Sequence, residues 1–368
     1  MKKNQRVVLG MSGGVDSSVC AYLLKKQGYE VIGLFMQNWD SYLNNDFLGN
    51  VSETKETCNV QKDFNDAKKV ADKLGIKIYR VDFIKKYWNK VFKYLIAEYK
   101  KGRTPNPDVL CNKYIKFNEF IKYATKKFKC DKIAMGHYAN VKKTKDQYYL
   151  TKAKDENKDQ TYFLCWLNQD QLSKTLFPIG NLPKDDVRKI AHEQGLDNWN
   201  KKDSTGICFI GERKFKDFLN NYIPIKNGKI VDIVTKKVVG QHDGMTFYTI
   251  GQNKNLGLGG KQNKYFVCAK DFKKNIVYVV DSINKDKYLT STKCEVEQFN
   301  WINPNPKKSG KVQIRFRHRQ ELIDGKYEIK NKKIMLTYKP TLSVTPGQFA
   351  VLYSGSKCLG GGIVNKIF

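Results

Sequence analysis

The chain has 368 residues, 40% apolar and 12% aromatic, enough for two or three domains with real cores. Its 67 Lys+Arg against 36 Asp+Glu leave a net charge of +31, which suits a polyanionic partner but is also what a lysine-rich proteome with solvated charge produces. No run of about 18 apolar residues is present, which excludes a membrane-spanning helix, and Met1-Lys2-Lys3 begins no signal-peptide pattern. Nine scattered cysteines, none in C-x-x-C, speak against a secreted disulfide scaffold and against a four-thiolate zinc or iron–sulfur site. The expectation is a cytoplasmic chain with reduced thiols.

The apolar run Val7-Val8-Leu9-Gly10-Met11 predicts a buried strand. It ends in Ser12-Gly13-Gly14-Val15-Asp16-Ser17 and feeds a predicted helix over 18–26. A strand, a Gly/Ser turn and a helix start make an anion site, because the backbone N–H groups converge and the helix dipole favours negative charge. Gly13 and Gly14 permit dihedrals and closeness that a Cβ forbids. The turn carries no lysine, and the chain has no G-x-x-x-x-G-K-[ST], so this is not the P-loop of kinases and GTPases. An ordinary capped turn without a ligand is the alternative.

Further strands are predicted over 30–36, 76–83 and 132–135. Helices are predicted over Phe64 to Leu74, over 87–100 and over 115–128, and 38–57 reads as a loop. Alternating strands and helices imply a parallel sheet covered on both faces, with its ligand beyond the carboxyl ends of the strands. That edge collects the turn after Met11, Met36, and Gly136-His137. From about residue 243 the texture changes to short strands over 245–250, 265–269, 276–280, 312–317, 334–338, 349–353 and 362–364, the pattern of a small barrel. The expected architecture is an α/β parallel-sheet nucleotide-binding domain over 1–210, a small central domain over 211–282 and a C-terminal β-barrel over 283–368.

Two cysteines stand in motifs suited to chemistry. Cys111 ends Gly102-Arg103-Thr104-Pro105-Asn106-Pro107-Asp108-Val109-Leu110-Cys111, where two prolines predict a stiff, non-helical path and Arg103 and Lys113 are placed to lower a thiol pKa. Cys208 lies between Gly206 and Gly211, in a segment able to turn sharply. Structural roles stay open for both: a half-buried cysteine behind a helix-capping Asp108, and an apolar strand residue. An ATP-type loop with two such thiols suits activation of an oxygen followed by sulfur delivery. Cys20, Cys130 and Cys165 read as core, and Cys58, Cys268, Cys294 and Cys358 carry no pattern. Lys158-Asp159-Gln160 reads as a helix cap before Tyr162-Phe163-Leu164. Arg315, Arg317, His318 and Arg319 are expected on one barrel face, either against RNA phosphates or simply solvated. No His or Cys spacing identifies a metal site.

Taken together, these motifs resemble the bacterial tRNA-specific 2-thiouridylases, members of the PP-loop ATP pyrophosphatases, over nearly the whole chain. The resemblance rests on the turn at 10–17, on the segments 102–112 and 203–211, on Gly136-His137-Tyr138, Asn157-Lys158-Asp159-Gln160 and Leu256-Gly257-Leu258-Gly259-Gly260, and on Thr345-Pro346-Gly347-Gln348. It implies ATP- and magnesium-dependent adenylation of the C2 oxygen of the tRNA wobble uridine, then its replacement by persulfide sulfur from a cysteine-desulfurase relay. By motif position Cys208 would carry the persulfide and Cys111 would be the nucleophile, with a Cys111–Cys208 disulfide as one outcome. Gly10, Met11, Ser12, Gly13, Gly14, Val15, Asp16, Ser17, Met36 and Gly136 would line ATP. Asn106, Pro107 and Asp108 would meet the target base. His137, Lys158, Asp159, Gln160, Arg317, His318 and Gln348 would touch tRNA. Arg317-His318 stands where the family commonly shows Arg-Tyr. The rival expectations are another PP-loop ligase or amidotransferase, and a non-catalytic RNA-binding protein.

Overall fold

The computed structural model describes residues 5–48, 59–202, 206, 210, 214–259, 263–304 and 306–368. In chain order the first region contains β1 (Arg6–Gly10), α1 (Val15–Lys26), β2 (Glu30–Gln37), α2 (Asn59–Lys73), β3 (Lys77–Asp82), β4 (Lys132–Ala134), β5 (Asn140–Thr144), β6 (Gln147–Thr151) and β7 (Thr175–Leu176). Five of these strands form a parallel sheet in the order β3-β2-β1-β4-β7. Val7 and Leu9 pack with α1, α2 and the helix Lys184–Glu193, while Val8 packs with the helical stretches 84–100 and 107–128 on the other face. Alternate side chains of one strand are thus buried on opposite sides, which is why β1 reads as continuously apolar. The strand order turns back between β1 and β4, and a parallel sheet opens its ligand crevice at such a point.

A smaller sheet follows, formed by β8 (Gly228–Asp232), β9 (Val238–His242), β10 (Tyr265–Asp271) and β11 (Ile276–Asp281) in the order β10-β11-β8-β9. The last region comprises β12 (Thr290–Trp301), β13 (Ser309–Arg315), β14 (Ile323–Lys330), β15 (Lys333–Leu342), β16 (Phe349–Ser354) and β17 (Lys357–Ile367). They run β12-β15-β14-β13-β16-β17, and β17 returns to pair with β12, closing a six-stranded barrel around Val296, Ile314, Leu336, Leu352 and Val364. Closure removes the free edges that would invite pairing with other chains. The expected α/β sheet, central unit and C-terminal barrel are all present.

Four local expectations are corrected. Residues 245–247 form a tight 3₁₀ turn, not a strand, because Phe247 N–H bonds Gly244 O and buries Met245 and Phe247 inward. The segment around Pro105 and Pro107 is not irregular throughout, since a helix begins at Pro107, whose missing N–H costs nothing at the first helical position. That helix is capped by Asn106, whose Oδ1 accepts from Asp108 N at 3.1 Å, and not by Asp108. Finally, β5, β6, β7, β8, β9, β12 and β14 lie outside the predicted strands, and the β5–β6 hairpin joins the barrel sheet through Lys357↔Thr151 and Cys358↔Leu150. Their sequences are rich in polar residues, which blurs the apolar alternation of a strand, although β5–β6, β8–β9 and β14–β15 pair with near neighbours in the chain.

Candidate active site

Gly10, Met36 and Met135 meet at the carboxyl ends of β1, β2 and β4. A Cβ on Gly10 would lie 2.6 Å from Met135 Sδ and 3.6 Å from Met36 Cε. The chain then turns through Met11, Ser12, Gly13 and Gly14 into α1. Gly13 has φ +76°, and a Cβ there would sit 2.2 Å from the Asp63 carbonyl oxygen, so only glycine fits. Gly14 caps α1 with no side-chain cap bond, which leaves first-turn N–H groups for an anion. Ser17 Oγ accepts from Ser12 N at 3.2 Å and donates to Gly14 O at 3.0 Å, bracing the turn from inside. Gly136 stands opposite, where a Cβ would come within 3.2 Å of Ser17 N. Bare backbone on both sides is what a phosphate group requires to reach the N–H groups. Val15 points into the apolar core beneath the turn.

The turn has no lysine of its own, yet a cation reaches it. Lys184, in the first turn of the helix Lys184–Glu193, brings Nζ to 2.7 Å from Asp16 Oδ1, and Tyr138 OH donates to the same oxygen at 2.8 Å. The Lys184 side chain is only 8% exposed, a buried cation paired with the Asp16 carboxylate at the mouth of the turn. Asn198 and Lys201 also reach the turn, at the Gly13 carbonyl. None of Tyr138, Lys184, Asn198 or Lys201 was singled out by sequence as part of this site. Tyr138 belongs to the Gly136-His137-Tyr138 motif but carried no assigned role, and nothing local places the other three beside residue 13 or 16.

Cys111 ends the helix Pro107–Cys111 and is fully buried, and the helix then widens into i→i+5 turns over Asn112–Glu119. Such widened turns are rare and frequent at functional sites. Asn112 Nδ2 donates to Phe163 O at 3.0 Å, while its Oδ1 is buried without a hydrogen-bond partner among the described residues. Arg103, expected to act on the thiol, gives its guanidinium to Glu98, Glu297 and Asn365. Burial lowers the pKa of the half-buried Lys113. The stretch carrying Asn106, Pro107 and Asp108 is docked from behind by the barrel motif at 345–348. Gln348 Nε2 donates to Thr104 O at 2.7 Å, and Thr104 N donates to Pro346 O at 3.1 Å. Gly347, at φ +92°, leaves no room for a Cβ, which would lie 2.9 Å from Thr104 N. Gln348 therefore has an internal task at this position. Cys208 lies outside the described residues.

The segment Lys158-Asp159-Gln160 is a junction between the sheet domain and the barrel. Asp159 is 2% exposed, and its Oδ2 accepts from Arg315 Nη1 at 3.0 Å and Thr161 Oγ1 at 2.7 Å. Gln160 Oε1 accepts from Tyr138 N at 2.9 Å, which links the junction to the residue that touches Asp16. The expected row of basic side chains on one barrel face is not formed. Arg315 is buried against Asp159, Arg317 donates to the carbonyls of Ile250 and Ser343, and His318 Nε2 lies 3.0 Å from Asp159 O. The barrel strand carrying Arg315 ends there, and contacts between units take up Arg315, Arg317 and His318, while Arg319 stays exposed. His137 is buried between the rings of Phe117 and Phe177, at centroid distances of 5.6 Å and 5.9 Å, and its Nδ1 has no hydrogen-bond partner among the described residues. Burial, reinforced by Lys116, holds its pKa well below the ordinary histidine value. Among the described residues no group of three or more His, Cys, Asp or Glu forms a metal cage.

Family comparison agrees with this layout. Residues 5–212 match the model described as tRNA methyl transferase HUP domain, 216–281 the tRNA methyl transferase PRC-barrel domain, and 291–364 the aminomethyltransferase beta-barrel domain. The chain is 56% identical over 374 residues to the tRNA-specific 2-thiouridylase MnmA of Mycoplasma mycoides subsp. mycoides, covering 99% of each chain. It is 53% identical over 370 residues to that of Ureaplasma parvum serovar 3, covering 100% of this chain and 96% of the relative. Among solved structures it is similar to an NMN synthetase from Francisella tularensis, with a TM-score of 0.34, 16% identity, and 54% of this chain and 66% of that chain covered. It is also similar to a 4-thiouridine synthetase–RNA complex with bound ATP, with a TM-score of 0.33, 13% identity, and 57% and 46% of the two chains covered. The model descriptions speak of methyl transfer, but the full-length relatives are named for thiolation, and identity above half of all positions end to end decides the matter. This chain belongs to the family of tRNA-specific 2-thiouridylases.

Proposed function

We propose that the protein is an ATP-dependent tRNA sulfurtransferase that converts the wobble uridine to 2-thiouridine. The observation that carries this is the match at 53–56% identity across the whole chain to proteins of that name. The glycine-lined anion site at the sheet's switch point supports ATP as the co-substrate. A uracil C2 oxygen is a poor leaving group, and adenylation turns it into AMP, a good one. Gly10 to Ser17, with Met36 and Gly136, would hold the nucleotide, and its pyrophosphate would leave along the α1 N-terminus. Magnesium would enter with the nucleotide on its phosphate oxygens.

Cys208 is assigned the persulfide and Cys111 the second thiol, with Asn106, Pro107 and Asp108 at the target base. Two routes balance. In one, the persulfide's terminal sulfur attacks C2 and expels AMP, and the Cys111 thiolate then attacks Cys208 Sγ, releasing the thiocarbonyl and leaving a Cys111–Cys208 disulfide. In the other, Cys111 attacks first and frees hydrosulfide, which attacks C2. Both leave a disulfide that an external dithiol must reduce. We assign residues 1–210 to nucleotide and sulfur chemistry, and 211–282 with 283–368 to tRNA binding. His137, Lys158, Asp159, Gln160, Arg317, His318 and Gln348 would shape the tRNA contact. A desulfurase-fed relay as donor and a cytoplasmic setting complete the assignment.

The test is mass spectrometry of nucleosides from unmodified tRNA incubated with the protein, ATP, magnesium and a persulfide donor. Wild type is expected to form 2-thiouridine, and Cys111→Ser and Cys208→Ser to form less than a hundredth as much. Full 2-thiouridine formation by both variants would overturn the two-cysteine assignment, and ATP cleavage by wild type with no 2-thiouridine formed would mean a ligase or amidotransferase whose chemistry stops at adenylation and amine attack.

A further inference from the structure

The peptide joining Gly13 and Gly14 is flanked by two residues without a Cβ, so it can rotate at small steric cost. In a trans peptide the C=O and N–H point opposite ways. Here the Gly13 carbonyl turns to the buried side, where Asn198 Nδ2 donates to it at 3.0 Å and Lys201 Nζ at 3.3 Å. The Gly14 N–H turns to the open side, where it donates a long 3.4 Å bond to the Oγ of exposed Ser12, a hydroxyl that can swing away for a ligand. Rotating this peptide would put a carbonyl oxygen where the anion site needs a donor.

Both donors are themselves held. Asn198 is 6% exposed, and its Nδ2 also donates to Ser18 Oγ at 2.9 Å, in α1. Lys201 Nζ sits between Asp63 Oδ1 at 2.9 Å and Asp66 Oδ2 at 2.6 Å, both in α2. The backbone of Asp63 is also what forbids a Cβ at Gly13. The segment 198–201, tied to α1 through Ser18 and to α2 through Asp63 and Asp66, therefore supplies both donors to a single carbonyl group.

We propose that Asn198 and Lys201 form a peptide latch: by fixing the Gly13 carbonyl inward they aim the Gly14 N–H at the pyrophosphate of bound ATP. They are positioning residues, acting through the loop backbone. The inference rests on the ATP reading of this loop. A donor held in place before the ligand arrives is worth far more than one that must first reorient. The cost of losing the latch should therefore fall on ligands that carry a pyrophosphate.

The experiment is calorimetric titration of the full chain with ATP and, separately, with AMP, for wild type, Asn198→Asp, Lys201→Met and Lys201→Arg. Asn198→Asp keeps the side-chain shape but sets an acceptor against the carbonyl. Asn198→Asp and Lys201→Met are expected to raise the ATP Kd about tenfold or more while the AMP Kd moves less than about threefold. Lys201→Arg is expected to bind both like wild type. Unchanged ATP affinity in both disruptive variants overturns the latch, as do equal losses for ATP and AMP, which would mean general loosening. If Asn198→Asp fails to fold, the half-exposed Lys201 pair decides alone. Failure of wild type to bind ATP would overturn the nucleotide reading, and the latch with it.

Discussion

Replacing Arg315 by methionine should detach the barrel from the sheet domain. The Arg315 and Asp159 side chains are 10% and 1% exposed and 3.0 Å apart, and the guanidinium lies over the Tyr353 ring at 5.4 Å. Methionine keeps most of the apolar stem but leaves the carboxylate buried without its cation. Breaking a buried pair from one side costs about 3–5 kcal/mol. Thr161 Oγ1 and the backbone N–H groups of Ala153 and Thr161 still donate to Asp159, so the expected cost is at the lower end, about 3 kcal/mol. Adding Asp159→Asn to Arg315→Met should recover at least about 1 kcal/mol, because no buried charge then remains. The assay is urea unfolding followed with limited proteolysis at the 153–161 junction, comparing the two single variants and the double variant. An Arg315→Met protein within about 0.5 kcal/mol of wild type, or a double variant no better than the worse single one, would refute the argument.

Three other outcomes follow from the same geometry. Lys184→Met should weaken ATP binding by about tenfold or more, with tRNA affinity unchanged in filter binding, because it removes the buried cation at Asp16. Burial holds both His137 and His318 below the ordinary histidine pKa, so the unfolded chain binds more protons than the folded one in acid. Stability is therefore full above about pH 6.5 and falls as pH drops below it; His137→Phe, an apolar ring between Phe117 and Phe177, should flatten that fall in urea titrations at several pH values. Gly347→Ala should slow thiolation at least tenfold in the nucleoside assay while ATP binding persists, since its Cβ would push Thr104 and the Cys111 helix off the barrel.

Sequence alone determined what depends on neighbours in the chain. The apolar run before Ser12 and the glycines at 13 and 14 act over a few residues, so the first strand, the turn and the helix that follows are written locally. The motifs around Cys111 and Cys208 were likewise visible as motifs. The prolines nevertheless misled, because Pro107 blocks a helix interior but favours a helix start. What only the tertiary structure decided is which distant side chains meet. Lys184 reaches Asp16 across 168 positions, and Asn198 reaches Gly13 across 185. Arg315 and Arg317 alternate with Ile314 and Phe316 just as a solvent-facing strand would, yet Arg315 is buried against Asp159 and Arg317 is tied to the carbonyls of Ile250 and Ser343. Periodicity tells which residues share a face; only the packing of one unit on another tells whether that face meets water.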